Sequence, residues 1–198
     1  MESNINSQNS GKSLRVHIDT EFTDFINTDL ISIGAACENG DTFYGENLQY
    51  IKSWQSDFVK ENIVPLLNPT KYGMSTIELS SRLWVWIDEL PCDQVIITYD
   101  YKTDWVLLDR LFSEEKHPKI IDEHLYNNIY YDCDQICKDM GSDNNAYDRM
   151  VEKVKTKFET SLIEYFHRTK EIPHHALSDA KANCEAYLKI VNKFGIRR

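Results

Sequence analysis

Near the start of the chain, a strict alternation of apolar and polar residues limits the fold more than any other feature. Residues 14–19 alternate with the two-residue period of a β-strand, and residues 31–35 continue that pattern. Between the second run and a third β-rich segment at 42–44, Asn39-Gly40 is a strong signal for a two-residue turn. We therefore expect the chain to open with a three-stranded antiparallel meander.

Helical periods dominate the rest of the sequence, and β-rich residues return at only two places, Gln94–Thr98 and Lys119-Ile120-Ile121. Four segments carry apolar residues at helical spacing. They are a stripe of Trp54, Phe58 and Val59 that ends near Pro65, a helix from about Ser75 to Leu90 with Ile77, Trp84 and Ile87 in register, a helix from Ala146 to Arg168, and a final helix from Ala176 to Phe194. This order predicts an α/β fold in which a mixed sheet is flanked by helices.

The first predicted strand ends in two acids that share one face. Side chains at positions i and i+2 leave a strand on the same side, so Asp19 and Glu21 point together. The sequence has one other acid pair at this spacing, Asp132 and Asp134, in a polar segment without a clear pattern. Placement on a strand favours Asp19 and Glu21 as metal ligands, although the pair taken alone is also typical of a solvated strand end.

Two more acids lie at the start of predicted helices. Thr103 is a suitable helix N-cap, which places Asp104 in the first turn and on the apolar face of its helix. Asp179 lies three residues into the final helix and five residues after His174. Each acid has a structural explanation when taken alone, because a negative charge near a helix N-terminus is favourable toward the helix dipole.

Taken together and in this order, Asp19-Thr20-Glu21, Asp104 and His174-x-x-x-x-Asp179 resemble the three motifs of the DEDDh 3′–5′ exonucleases, the RNase T and oligoribonuclease superfamily. The resemblance covers about residues 16–111 and 173–188, and the opening is most similar to the small stand-alone exoribonucleases. The second motif departs from the commonest form, in which a His-Asn pair precedes the Asp. This chain has Tyr99-Asp100 there, which makes Asp100 a rival to Asp104.

The resemblance implies an RNase-H-like fold and a two-metal-ion hydrolase. Asp19, Glu21 and Asp179 would hold the first of two Mg²⁺ or Mn²⁺ ions, with Asp19 bridging to the second and Asp104 contacting it. His174 would be the general base that takes a proton from the attacking water, with the neighbouring His175 as its competitor. The product would be a nucleoside 5′-monophosphate released from the 3′ end.

Residues beside the motifs are the candidates for contact with the substrate, and they are chosen by position alone. They are Thr20, Phe22, Thr23 and Tyr99. Aromatic rings next to a nuclease site are suited to stacking on a nucleobase. We therefore expect Phe22 and Tyr99 to face the terminal nucleotides.

The charge of the chain bears on the length of that substrate. The 198 residues carry a formal net charge of −10, whereas proteins that bind long duplexes use many Lys and Arg side chains. We therefore expect RNA to be bound as a short oligonucleotide or at a single-stranded 3′ end. The likeness to exoribonucleases favours RNA over DNA. A 3′–5′ DNA exonuclease is the nearest alternative, and a non-catalytic nucleic-acid-binding module on the same fold is another.

Composition also predicts organisation and location. We expect a disordered tail over residues 1–12 and a single exonuclease domain over residues 13–198. No apolar run approaches the roughly 20 residues of a membrane span, so no membrane partner is expected. Five scattered cysteines argue against a disulfide framework and suit a cytoplasmic protein. A homodimer is suggested by the habit of the family alone.

Overall fold

A computed structural model describes residues 11–113, 115–121 and 144–194, with side chains from residue 148 onward in the last range. The first ten residues of the expected tail and the Asp132–Asp134 pair lie outside the described residues. Within those ranges, no helix is long and apolar enough to cross a membrane.

A five-stranded mixed sheet forms the centre of the fold. Strands β1 (Ser13–Phe22), β2 (Leu30–Cys37) and β3 (Thr42–Asn47) pair antiparallel in sequence, which confirms the predicted meander. The short β4 (Gly73–Met74) lies parallel to β3, and β5 (Gln94–Thr98) lies parallel to β1, so the order across the sheet is β4-β3-β2-β1-β5. The predicted mixed sheet is thereby confirmed.

The segment at 119–121 is the weakest of the predicted strands. Among the described residues it forms a single parallel bridge, between Ile120 and Val95. The bridge extends the pairing one position beyond β5, on the side away from β1.

Helices cover both faces of the sheet, as predicted. They are α1 (Pro69–Tyr72), α2 (Thr76–Glu89), α3 (Lys102–Leu111), α4 (Asn144–Thr169) and α5 (Ala176–Phe194). Leucines of α2 and α3 pack with Val16 and Ile18 on one face, in the main hydrophobic core. On the other face α5 lies across β1 and β2 and is itself covered by α4. The two long C-terminal helices match their predicted bounds within about two residues.

Two predicted apolar stripes are wrong in detail. Residues 52–66 form a series of short 3₁₀ and π-type turns, so their side chains do not follow a helical period; Trp54 and Phe58 are exposed, and Val59 packs against Ile31. In α2, Ile77 is 79% exposed, because the buried face follows the four-residue spacing of Leu79, Leu83 and Ile87.

The first turn of α5 touches β2 backbone to backbone at Gly34. A Cβ at position 34 would lie 2.3 Å from the backbone nitrogen of Leu177, far inside van der Waals contact. Gly34 is also the cross-strand partner of Asp19. The missing side chain therefore lets the start of α5 lie directly beside the acidic end of β1.

Gly34→Ala should move the start of α5 away from the sheet. Overpacking of this kind costs roughly 1–3 kcal/mol in the free energy of unfolding, which urea denaturation measures. Gly45→Ala is the matched control, because its added methyl meets the flexible side chain of Leu79 rather than backbone. Equal losses in the two variants would mean that the Gly34 contact places no special demand on the fold.

Candidate active site

Three carboxylates meet where β1 ends. Asp19 and Glu21 leave the same face of β1, and Asp179 comes from the first turn of α5. One ligand oxygen from each lies within 4.8 Å of the other two, and all three residues are partly exposed. The structure thus brings together the acids of the first and third motifs.

The fourth acid, Asp104, lies buried behind this group, and its oxygens are held by hydrogen bonds. Oδ1 accepts from the backbone N–H of Thr20 at 3.1 Å and from the Thr20 hydroxyl at 2.6 Å. The pairing of β5 with β1 ends at His17. On that edge of β1, β5 therefore does not compete with Asp104 for the N–H of Thr20. Asp104 is therefore fixed to the edge of the strand that carries Asp19.

Asp104 and Asp179 both lie in the first turn of a helix, as the third residue of α3 and the fourth of α5. Asp104 Oδ2 accepts from the backbone N–H of Tyr101, the residue before α3, at 3.0 Å. The backbone N–H groups of His174 and His175, just before α5, lower the pKa of Asp179. The predicted N-cap at Thr103 is wrong by two residues, because α3 begins at Lys102 and Tyr101 precedes it. The Asp104 carboxylate is thus fixed by the start of its own helix, and the Asp179 carboxylate lies close to the backbone amides at the start of α5.

Burial and mutual repulsion make these acids hard to ionise together. Burial, followed by the charge of Asp179, raises the pKa of Glu21 to about 8. Burial also raises the pKa of Asp104 and that of Asp179 to about 6, against the hydrogen bonds that they accept. The pKa of Asp19 lies well above its usual value through burial and then through repulsion by Asp104. Crowding four acids in this way is costly unless a cation neutralises them.

Asp100, the rival for the second motif, is exposed just beyond β5. Its charge contributes to raising the pKa values of Asp19, Asp104 and Asp179, so it lies within electrostatic range of the site. It differs from Asp104 in being exposed, and burial of its carboxyl group still raises its own pKa. The structure therefore places both acids near the site but gives only Asp104 a fixed position against β1.

His174 and His175 have different surroundings. His174 is exposed, its ring meets Phe58 edge-on at 5.2 Å between centroids, and its charge lowers the pKa of Asp179. His175 is partly buried and stacks on Tyr44 at 4.5 Å, and burial lowers its pKa. His174 is therefore the imidazole that stands in solvent beside the carboxylates.

The backbone of His174 adopts the left-handed region, with φ at 63°. Residues other than Gly rarely adopt this conformation, although His does so more readily than most. After this turn the His174 ring is exposed, whereas Asp179 groups with Asp19 and Glu21.

Three of the residues expected to contact the substrate are buried. Thr20 is committed to Asp104, and the Thr23 hydroxyl donates to the Asn27 carbonyl and accepts from the Asp29 N–H. Tyr99 packs into the main core. These side chains have no surface on which a nucleobase can stack, which corrects that expectation in this structure.

The fourth of them, Phe22, packs beside an exposed aromatic surface, formed by Phe25 and Tyr101, that the sequence patterns did not predict. Phe22 is partly buried and meets Phe25 edge-on at 5.0 Å, and Phe25 lies 6.3 Å from Tyr101. Phe25 is 72% exposed and Tyr101 58% exposed. Both flank acidic motifs, at spacings of four residues from Glu21 and three from Asp104. Their closeness in sequence to the acidic motifs is the feature from which Phe25 and Tyr101 could have been predicted.

The donor set fits a hard divalent cation. All of its ligand atoms are carboxylate oxygens, which Mg²⁺ and Mn²⁺ prefer, and the described residues near it supply no thiolate. The partial exposure of Asp19, Glu21 and Asp179 leaves room for an ion and for its remaining ligands. A cation would also remove the repulsion that raises their pKa values.

The metal-free protein should lose stability as the pH rises. In the unfolded chain these acids titrate near a pKa of about 4, whereas burial raises the folded-state pKa of Asp179 to about 6 and that of Glu21 to about 8. Over that window the folded protein binds more protons, so the free energy of unfolding falls with rising pH.

Thermal unfolding in EDTA and in Mg²⁺ at about pH 5 and about pH 8.5 measures this effect. We expect a lower Tm at the higher pH in EDTA, with most of the loss recovered in Mg²⁺. Glu21→Gln should reduce both the pH dependence and the gain from Mg²⁺. A Tm in EDTA that rises between the two pH values would contradict the expected ionisation.

Two comparisons with known proteins identify no relative of this chain. A scan against protein-family models finds no match, and a search of curated proteins likewise finds none. The function has to be inferred from the residues of this site and their geometry.

Proposed function

We propose that this chain is a divalent-metal-dependent 3′–5′ exoribonuclease of the DEDDh type on an RNase-H-like fold. The observation that carries the proposal is the meeting of Asp19, Glu21 and Asp179 within 4.8 Å, with Asp104 fixed behind them. The antiparallel meander with a parallel strand beside β1 supports the fold. A non-catalytic binding module has no need for such a costly group of acids.

The roles of the side chains follow from their positions. Asp19, Glu21 and Asp179 would hold the ions, and Asp104 would hold the second ion. The hydrogen bonds that Asp104 accepts from Thr20 and Tyr101 also join β1 to the start of α3. When bound there, Mg²⁺ or Mn²⁺ supplies charge neutralisation at the scissile phosphate and a lower pKa for the attacking water. His174 removes the proton of that water, since its ring is exposed beside Asp179.

The hydrolysis is balanced by one water molecule. The water oxygen forms a bond to phosphorus as the bond to the 3′ oxygen of the preceding nucleotide breaks. The leaving 3′ oxygen takes up a proton from solvent, and the proton held by His174 returns to solvent. The products are a nucleoside 5′-monophosphate and a chain that is shortened by one nucleotide and ends in a 3′ hydroxyl. The exposed Phe25 and Tyr101 rings offer stacking surfaces for the bases that remain on the chain.

A nuclease assay tests the proposal directly. RNA and DNA of one sequence, labelled at the 5′ or the 3′ end, are incubated with Mg²⁺, Mn²⁺ or EDTA. We expect a 5′-labelled RNA ladder and release of mononucleotide from the 3′ label, both abolished by EDTA. Asp19→Asn is the inactive control. Binding without cleavage in every metal would favour the non-catalytic alternative, and faster cleavage of DNA would favour the DNA exonuclease.

Affinity for RNA should depend little on length beyond a few nucleotides. A net charge of −10, even when partly offset by divalent ions, supplies little of the counterion release on which long-chain binding depends. Fluorescence anisotropy with RNA of increasing length measures this, with Ca²⁺ in place of Mg²⁺ to slow cleavage. Affinity that climbs steadily with length and falls steeply with salt would reveal a basic track along the protein.

A further inference from the structure

The turns at 52–66 bring an aromatic ring against a residue of the candidate active site. Phe58 is 52% exposed, and its ring meets the imidazole of His174 at 5.2 Å between centroids, with the two ring planes at 89°. An edge-on arrangement at this distance is a favourable geometry for two aromatic rings. The contact joins the turns at 52–66 to the residue just before α5.

The backbone that carries Phe58 is itself attached to the sheet. Its neighbour Val59 is buried and packs against Ile31 of β2. The backbone N–H of Ser56 donates to the carbonyl of Thr23, in the loop that follows β1, at 3.0 Å. Packing and this hydrogen bond hold the turn, so the exposed ring of Phe58 has a fixed attachment.

The ring of His174 has little else to hold it. The side chain is exposed, and among the described residues its imidazole makes no hydrogen bond and no aromatic contact except that with Phe58. Its backbone lies in the left-handed region, with φ at 63°, in the turn before α5. An exposed side chain moves among its rotamers within picoseconds to nanoseconds. Packing against Phe58 reduces that freedom.

A general base loses rate when its ring is not in place. The imidazole has to come within hydrogen-bond reach of the attacking water, about 2.6–3.2 Å between heavy atoms. A misplacement of roughly 1 Å in a reacting group can lower the rate about 100-fold. A contact that restricts the ring to one orientation therefore contributes to kcat, even when it does not touch the RNA.

We propose that Phe58 is a positioning residue, which holds the His174 imidazole in the orientation from which that ring reaches the attacking water. This inference rests on the proposed exonuclease function and assigns a role to the turns at 52–66, which lie outside the three motifs. Phe58 acts through His174 and needs no contact with the substrate. A ring that stacked on a base would instead change substrate affinity, so kinetics separates the two roles.

Phe58→Leu removes the ring and keeps an apolar side chain. We expect kcat to fall by about tenfold, the upper value of one aromatic pair, while KM for RNA stays within about twofold of the wild type. Phe58→Tyr keeps the ring and should recover most of the lost kcat. Trp54→Leu is the matched control, because Trp54 is an exposed aromatic residue of the same turns that has no ring contact with His174 among the described residues. A KM that rises while kcat is unchanged would contradict the inference, because Phe58 would then bind the RNA.

A double-mutant cycle tests whether Phe58 acts through His174. In a His174→Asn background, Phe58→Leu should cause no further loss of kcat, since the ring that it positions is absent. A further loss of about tenfold, multiplied on that of His174→Asn, would show that Phe58 acts by another route. Thermal unfolding of each variant verifies that the compared proteins are folded at the assay temperature.

The NMR signal of the His174 imidazole gives a readout independent of cleavage. The ring current of Phe58 displaces the Cε1–H resonance, which is assigned by its disappearance in His174→Asn. Phe58→Leu should move this resonance toward that of a solvated histidine, and Trp54→Leu should leave it in place. A resonance that stays unchanged in Phe58→Leu would mean that the two rings do not meet in solution.

The two proposals fail in different ways. Cleavage by the wild type with an unchanged kcat in Phe58→Leu would overturn the positioning role alone. A wild type without cleavage in any metal would overturn the exonuclease proposal and, with it, the catalytic value of the contact, while the NMR signal would still report whether the rings meet.

Discussion

Asp104→Asn should abolish Mg²⁺-dependent cleavage, whereas Asp100→Asn should retain most of it. Loss of a carboxylate from the metal site removes several kcal/mol of charge stabilisation, which corresponds to on the order of 10³-fold or more in rate. Asp104 is buried and hydrogen-bonded to the strand that carries Asp19. Asp100 is exposed to solvent, and among the described residues it makes no hydrogen bond to β1 like that of Asp104. Initial rates on one labelled RNA measure both variants.

The Asp104 variant also needs a test of folding. Its two oxygens accept three hydrogen bonds, from Thr20 and Tyr101. The NH₂ of Asn cannot accept, so one end of the side chain loses its bonds, at a cost of about 1–3 kcal/mol. Thr20→Val removes the hydroxyl bond and keeps the carboxylate, which separates positioning from ligation. Full activity in Asp104→Asn together with inactivity in Asp100→Asn would move the second motif to Asp100.

His174→Asn should lower kcat by about 10²–10⁴-fold, the usual contribution of a positioned general base. Asn is the preferred replacement because it tolerates the left-handed backbone found at this position, where φ is 63°. His174 is not among the grouped ligand atoms, so the Mg²⁺ concentration for half-maximal Tm shift should change little.

His175→Asn is the matched control for the general base. His175 stacks on Tyr44 and is partly buried, so its replacement should affect stability more than kcat. Loss of kcat in His175→Asn with a near-normal rate in His174→Asn would exchange the two roles.

The sequence predicts those features of the site that follow from local secondary structure. Strand alternation alone places Asp19 and Glu21 on one face, and a helix start places Asp104 and Asp179 at its first turn. The approach of β1 and α5 depends on Gly34, whose contact with Leu177 joins residues far apart in the sequence. That contact leaves no periodic signal in the sequence. The meeting of the acids is therefore expected from the order of the three motifs and not from strand or helix periodicity.

The burial of Glu46 shows what sequence patterns cannot predict. Glu46 is an acid in a strand, which alternation alone would assign to solvent. Its burial comes from the turns at 52–66, and those turns have no helical period because 3₁₀ and π-type geometry changes from residue to residue. The exposure of Trp54 and Phe58 has the same origin.

Because Asp104 and Asp179 both lie beside the first amides of a helix, the backbone at each helix start should respond to a bound metal. Asp104 accepts a hydrogen bond from the amide of Tyr101, and the amides of His174 and His175 interact with the Asp179 carboxylate and lower its pKa. An ion that draws electron density from a carboxylate weakens these bonds, so the amide resonances should shift on titration with metal. Three backbone signals in an NMR spectrum would thus report occupancy separately at the α3 acid and at the α5 acid, without a labelled substrate or a catalytic turnover.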